Sequence, residues 1–130
     1  MSLTKPYLQV VGVLTLIFGL IYLLVPTAMT EPAGFGSLGG SALTDVRATY
    51  GGFQIGMGIF LLWTSRAPGR MRSGLVLLVL AIGSLFLSRI LGVLMDGELS
   101  AFHMQGLAVE STMTALTLYL IRKSERDAAD

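Results

Sequence analysis

Four apolar runs, each near the length a helix needs to cross a bilayer, follow one another along the chain and leave little sequence outside them. A bilayer core calls for about 20 apolar residues in a helix, within a range of about 17–25. The runs fall at residues 7–25, 43–64, 73–95 and 101–121. The first starts beside Pro6, which suits a first helical turn, and stops at Pro26. The second carries Asp45 and Arg47 in its first turn and reaches Trp63, an expected interfacial anchor. The third is the most hydrophobic and is interrupted only by Arg89. It ends at Asp96-Gly97, where glycine can take the left-handed conformation that closes a helix. The fourth is the most polar, with His103, Gln105 and Glu110.

Composition agrees. Only 13% of the residues are charged and 53% are hydrophobic, against about 25% charged in an ordinary soluble domain. A soluble domain of 130 residues has too much surface for its interior to bury so much apolar area. Lipid resolves the conflict. The expectation is therefore an all-α, integral membrane four-helix bundle, with residues 1–130 forming a single transmembrane domain. A net charge of +1 leaves no basic excess for nucleic acid. The absence of cysteine excludes disulfides, thiolate catalysis and thiolate metal sites.

Loop charge sets an expected orientation. If the four runs alternate, Lys5, Arg66, Arg70, Arg72, Arg122, Lys123 and Arg126 all lie on one side. Glu31, Asp45, Asp96 and Glu98 lie on the other, with Arg47 as the basic residue near them. Positive-inside bias then places both termini in the cytoplasm. The first run is too long for the 7–15-residue core of a signal peptide, and no convincing cleavage motif surrounds Thr27-Ala28-Met29. The loop Gly34-Phe-Gly-Ser-Leu-Gly39 matches G-x-G-x-x-G letter for letter, but a dinucleotide fingerprint needs a strand before it and a helix after it. Here it reads as a flexible loop that can cover a pocket opening.

Ionisable groups inside a bilayer are costly, roughly 2.5–3.5 kcal/mol each at mid-membrane, and mark candidate functional sites. Arg47, Tyr50 and Gln54 stand at i, i+3 and i+7 and would share one face of a regular helix. Arg89 and Asp96 are seven apart, as are His103 and Glu110. Seven residues correspond to about 10 Å of helix, so Arg89 and Glu110 reach similar depth and are natural partners, with Gln54 near them. Asp45, Arg47, Asp96 and His103 would form a shallower ring. The candidate polar pocket is thus Arg47, Tyr50, Gln54, Arg89, Asp96, His103 and Glu110, between helices 2, 3 and 4. Each residue also has a plainer reading. Arg89 and Glu110 can be a structural ion pair, Asp45 can simply favour the positive end of a helix dipole, and Asp96 can be a turn residue. His103 can be merely solvated or hydrogen-bonded. No metal is expected, because ligands seven apart on a helix are about 10 Å apart. Gly52-x-x-x-Gly56 suits close helix approach in lipid, more within the bundle than as a homodimer face.

The combination Asp45-Val-Arg47-Ala-Thr49-Tyr50-Gly51-Gly52, then Arg89-x-x-Gly92-x-x-x-Asp96-Gly97, then Glu110 resembles a bacterial family catalogued as domain of unknown function 4345. That group is placed within the DoxX-like superfamily of small four-helix membrane proteins. The resemblance covers nearly the whole chain and implies the same four-helix fold in a bacterial inner (plasma) membrane. It carries no established reaction; some wider DoxX-like proteins are linked to quinone-coupled oxidation or to complexes handling oxidative stress.

The residues point first to a binding or accessory protein with an outward polar pocket. Its occupant would be a lipid, a small anionic or amphipathic molecule, or the helix of a membrane partner or second copy. A redox subunit using a quinone, with Glu110 or His103 moving protons, is the alternative. No nucleophile–base pair or cofactor motif supports it, so the reading leans away from an enzyme and no cofactor is predicted. A transporter component is third, since there is no clear inverted repeat and no charge in the inner half of any span.

Overall fold

The computed structural model describes residues 3–127, so the outermost residues of the expected 1–130 domain, 1–2 and 128–130, lie outside the described residues. Every regular element among the described residues is helical. Helix α1 runs Thr4–Leu24, with Pro6 in its first turn, and ends just before Pro26 as proline chemistry requires. A single turn, α2 (Thr27–Thr30), leads into the glycine-rich loop. The next rod consists of α3 (Gly40–Val46), a π-helical turn (Arg47–Gly52) and α4 (Phe53–Thr64), with no break between them. Helix α5 spans Pro68–Asp96, its proline at the start and Gly97 at φ 70° closing its end. Helix α6 spans Ala101–Arg126 and is capped by Ser100, whose Oγ accepts the His103 amide N–H.

Two of these helices, Thr4–Leu24 and Pro68–Asp96, are long and apolar enough to cross a membrane. Four boundaries lie at least three residues outside the apolar runs. Helix α1 starts at Thr4, the second rod at Gly40 and α5 at Pro68, and α6 continues to Arg126. In each case the extra turns are polar or glycine-containing, so hydropathy does not register them. The helix persists because Pro68 pre-sets the first turn of α5. At the far end of α6, Lys123 and Arg126 complement the negative end of the dipole.

The helices pack as two pairs, α1 along the α3–α4 rod and α5 along α6. The pairs join through an apolar core of Leu8 and Val11 on α1, Leu61 on α4, Met71, Leu75 and Leu78 on α5, and Leu120 on α6. All seven lie at the end of the molecule where the described chain begins and finishes. Thr117 Oγ1 donates to the Met113 carbonyl at 2.7 Å, so its single proton is committed and the Tyr7 hydroxyl donates to it at 2.6 Å. That bond ties α1 to α6. At the same end, Arg72 reaches Glu125 at 2.9 Å between α5 and α6.

The glycines divide into two groups with opposite roles. A Cβ on Gly58 would lie 2.8 Å from the Gly12 carbonyl oxygen, and one on Gly19 would lie 2.8 Å from the Ile55 amide nitrogen. One on Gly51 would lie 3.0 Å from the Leu23 amide nitrogen. Gly12, Gly19, Gly51 and Gly58 therefore let two backbones touch, the arrangement by which small residues weld helices in lipid. The Gly52-x-x-x-Gly56 pair expected to do this does not. Gly56 has open space where its Cβ would be, and both residues line a shallow apolar groove with Phe53 and Phe60. The contact face repeats every seven residues, Gly51 to Gly58 against Gly12 to Gly19, and leaves Gly52 and Gly56 turned away from it.

This distinction can be tested with two substitutions of equal chemistry. Gly58→Val forces α1 and α4 apart and should cost at least the 1–3 kcal/mol typical of overpacking. Gly56→Val meets nothing and should leave thermal unfolding in detergent almost unchanged. Equal losses from both would show that the α1–α4 contact is not seated as described.

Candidate functional site

Away from the core the two pairs diverge. Tyr22, Tyr50, Arg89 and Glu110 stand ten or eleven residues from Val11, Leu61, Leu78 and Leu120, about 15 Å along their helices. At that level the apolar core has ended and polar groups face inward.

Arg89 and Glu110 form the tightest contact there. Arg89 Nη2 donates to Glu110 Oε1 at 2.6 Å, and Nε lies 3.1 and 3.0 Å from the two carboxylate oxygens. A two-pronged guanidinium–carboxylate contact is among the stronger polar interactions a protein makes. The Glu110 side chain is 8% exposed and that of Arg89 20%. Space for it comes from Gly106, one turn before Glu110 on α6. A Cβ there would sit 2.8 Å from Arg89 Nε. With any larger residue there the guanidinium would have to shift from this position.

Arg89 also forms part of the wall of a cleft of about 400 Å³. Its lining includes Ser88, Gly92, Val93 and Asp96 from α5, Glu98 from the connector, and Phe102 and His103 from α6. The opposite wall is aromatic. Tyr22 of α1 stacks on Tyr50 with ring centroids 5.2 Å apart, and Phe35 stands edge-on to Tyr50 at 6.4 Å. Phe35 is delivered by the glycine-rich loop. Gly34 and Gly36 on either side of it have φ of 83° and 66°, a conformation that glycine adopts without strain. The G-x-G portion of the loop thus turns one aromatic side chain onto the cleft. The Phe35 amide donates to the Thr30 carbonyl at 3.1 Å and holds the turn. Beside this space, His103 Nδ1 is buried with no hydrogen-bond partner.

Of the residues expected at the site, Tyr50, Arg89, Asp96 and His103 line one cleft, and Glu110 anchors Arg89 beside it. Arg47 and Gln54 are not part of that lining. Arg47 Nε instead donates to the Leu23 carbonyl at 3.0 Å, satisfying one of the free carbonyls at the end of α1. The shared face expected for Arg47, Tyr50 and Gln54 assumed a regular α-helix. The π turn over Arg47–Gly52 breaks that assumption, because the Phe53 amide bonds back to the Ala48 carbonyl five residues earlier. The extra residue in the turn rotates the residues after it relative to those before it. Asp45 is exposed on α3 and is not part of the cleft lining. The first helix, outside the expected pocket between helices 2, 3 and 4, contributes Tyr22. Tyr22, Phe35, Phe102 and Glu98 were outside the expected set; Tyr22 had a signal, an aromatic at the end of an apolar run. Among the described residues no three His, Asp or Glu side chains gather as a metal-ligating group.

A family model described as Domain of unknown function (DUF4345) matches residues 3–121. The chain belongs to the DUF4345 family. No curated protein and no solved structure matches it. The match takes in every residue of the cleft, so the site lies wholly within the DUF4345 domain. Because the family description assigns no activity, the chemistry has to be read from the residues themselves.

Those residues make two predictions for this DUF4345 domain. Arg89→Ala strands a buried carboxylate and should cost about 3–5 kcal/mol, whereas Arg89→Leu with Glu110→Leu should recover most of the loss. Gly106→Ala should destabilise by about 1–3 kcal/mol through crowding of the guanidinium. Thermal unfolding of the purified variants measures both. A Gly106→Ala protein as stable as the parent would show that Arg89 does not need the glycine.

Proposed function

We propose that this chain is a multi-pass membrane protein with four spanning helices, related to the DoxX-like proteins and resident in a bacterial inner membrane. Both termini face the cytoplasm, and the cleft at the other end opens outward and binds a small amphipathic molecule. The observation that carries this reading is the cleft itself, a polar and aromatic space where the two helix pairs part. Sites of this kind combine apolar walls with a few convergent polar groups.

The surface supports the membrane placement. Leu80, Leu87, Leu91 and Leu94 on α5 are all well over half exposed. A continuous apolar flank of that kind is stable in lipid and not in water. The end that carries the core also carries Arg66, Arg70, Arg72, Arg122, Lys123 and Arg126, while Asp96 and Glu98 lie at the cleft end. Positive-inside bias then puts the core end in the cytoplasm.

The function is binding rather than catalysis in this reading. The arginine beside the cleft is held by Glu110, and among the described residues no hydroxyl of the lining is hydrogen-bonded to His103, Asp96 or Glu98. A ligand would rest its apolar body on Tyr22, Tyr50 and Phe35 and direct its polar head to the mouth.

Two measurements test this. The parent has no cysteine, so Ser37→Cys and Gly69→Cys report each face separately. An impermeant maleimide should label the first in intact cells and the second only after the membrane is opened; the reverse pattern would overturn the orientation. Native mass spectrometry of the gently solubilised protein should detect a bound small molecule or lipid. Leu85→Trp, which fills the cleft, should remove that mass while unfolding at a similar temperature. A parent protein with no bound mass, and no difference from Leu85→Trp, would sink the binding function.

A further inference from the structure

The charge balance of the cleft bears on what it binds. Arg89 is the only basic residue lining it apart from His103, and its guanidinium is committed to Glu110 by three hydrogen bonds. Seen from the cleft, the two charges cancel. Arg47, the other cation expected here, donates to Leu23 and lies outside the lining. That leaves Asp96 and Glu98, both exposed and neither in an ion pair among the described residues. An anion arriving at this mouth would meet two carboxylates and no uncommitted arginine charge.

The opposite wall has complementary chemistry. Aromatic rings present a negative face, and an ammonium group within about 6 Å of a ring centroid is attracted to it. Tyr22, Tyr50 and Phe35 form one contiguous aromatic group on the cleft, in which the stacked and edge-on contacts hold the rings in place. Phe102 lines the other side. Carboxylates at a rim over an aromatic floor suit a cationic head joined to an apolar body.

We propose that the ligand of this cleft is an organic cation, an amine or quaternary ammonium compound with an apolar portion. Asp96 and Glu98 draw in and hold its charge, and Tyr50 with Tyr22 and Phe35 receives the adjoining carbon groups. This proposal rests on the reading of the cleft as a binding site and adds the sign of the charge it accepts.

The test uses two probes of similar size and opposite charge, benzyltrimethylammonium and benzenesulfonate. The full-length protein is studied in neutral maltoside micelles, which contain no competing ammonium headgroup. Isothermal titration should show saturable binding of the cation, weakening as salt rises because the carboxylates are solvent-exposed. Asp96→Asn with Glu98→Gln should reduce its affinity roughly fivefold or more, the size expected from losing two exposed charge contacts. Both positions are on the surface, so this variant should unfold at the parent's temperature. Asp45→Asn, exposed and outside the lining, should bind like the parent. Saturable binding of the sulfonate in place of the cation would overturn the proposal and leave the binding site standing. Cation binding that ignores the double substitution would also overturn it. If neither probe binds, the cation proposal fails, and the bound-mass measurement decides separately whether the cleft is a site at all.

Discussion

The two helix pairs are joined by one apolar core placed at one end, and most of the remaining structure follows from that placement. Leu8, Leu61, Leu75, Leu78 and Leu120 interlock where the described chain begins and ends. Helices joined at one end by bulky side chains, with smaller or polar residues further along, can part at the other. The parting makes the cleft. Two further contacts keep each pair intact while the pairs separate: the backbone approach at Gly12, Gly19, Gly51 and Gly58, and the Arg89–Glu110 bond between α5 and α6. The first is van der Waals contact, and the second adds an electrostatic bond to the apolar packing of α5 against α6.

The ion pair has two consequences. It holds α5 against α6 at the depth where the apolar core has ended, and it removes a positive charge from the space beside it. A guanidinium that would otherwise select anions becomes part of a neutral wall. The plainer reading of Arg89 and Glu110 as a structural pair and the reading of the cleft as a binding site are therefore compatible. On the proposed reading, the pair shapes the cleft and neutralises one wall of it, and other lining residues would meet the ligand.

Much of this could be read along the chain. The apolar runs mark the helical rods because hydropathy over twenty residues averages out local detail. Arg89 and Glu110 could be matched because each sits on a regular helix, where counting residues gives depth. The same counting failed for Arg47 and Gln54. A π turn lies between them, and no residue in Arg47–Gly52 announces one. Glycine spacing also misled, because the second rod has enough glycines to satisfy a four-residue motif and a seven-residue one. Which of the two meets a partner depends on how α1 is rotated against that rod. Phe35 was out of reach for another reason: it lies in a loop, whose path depends on the surface it crosses.

The sequence by itself determined an all-helical chain, the prolines and the glycine that bound its first and third helices, and the depth at which charge enters the helices. These follow from local chemistry: chain-length hydropathy, proline and glycine geometry, and a fixed rise per residue. Only the tertiary structure decided which glycines touch, that Arg47 bonds to the Leu23 carbonyl and lies outside the cleft lining, and that Tyr22 and Phe35 complete an aromatic wall with Tyr50. Those outcomes depend on helix rotation and on contacts between residues distant in sequence, where a shift of one residue in a single turn redirects a side chain to another face.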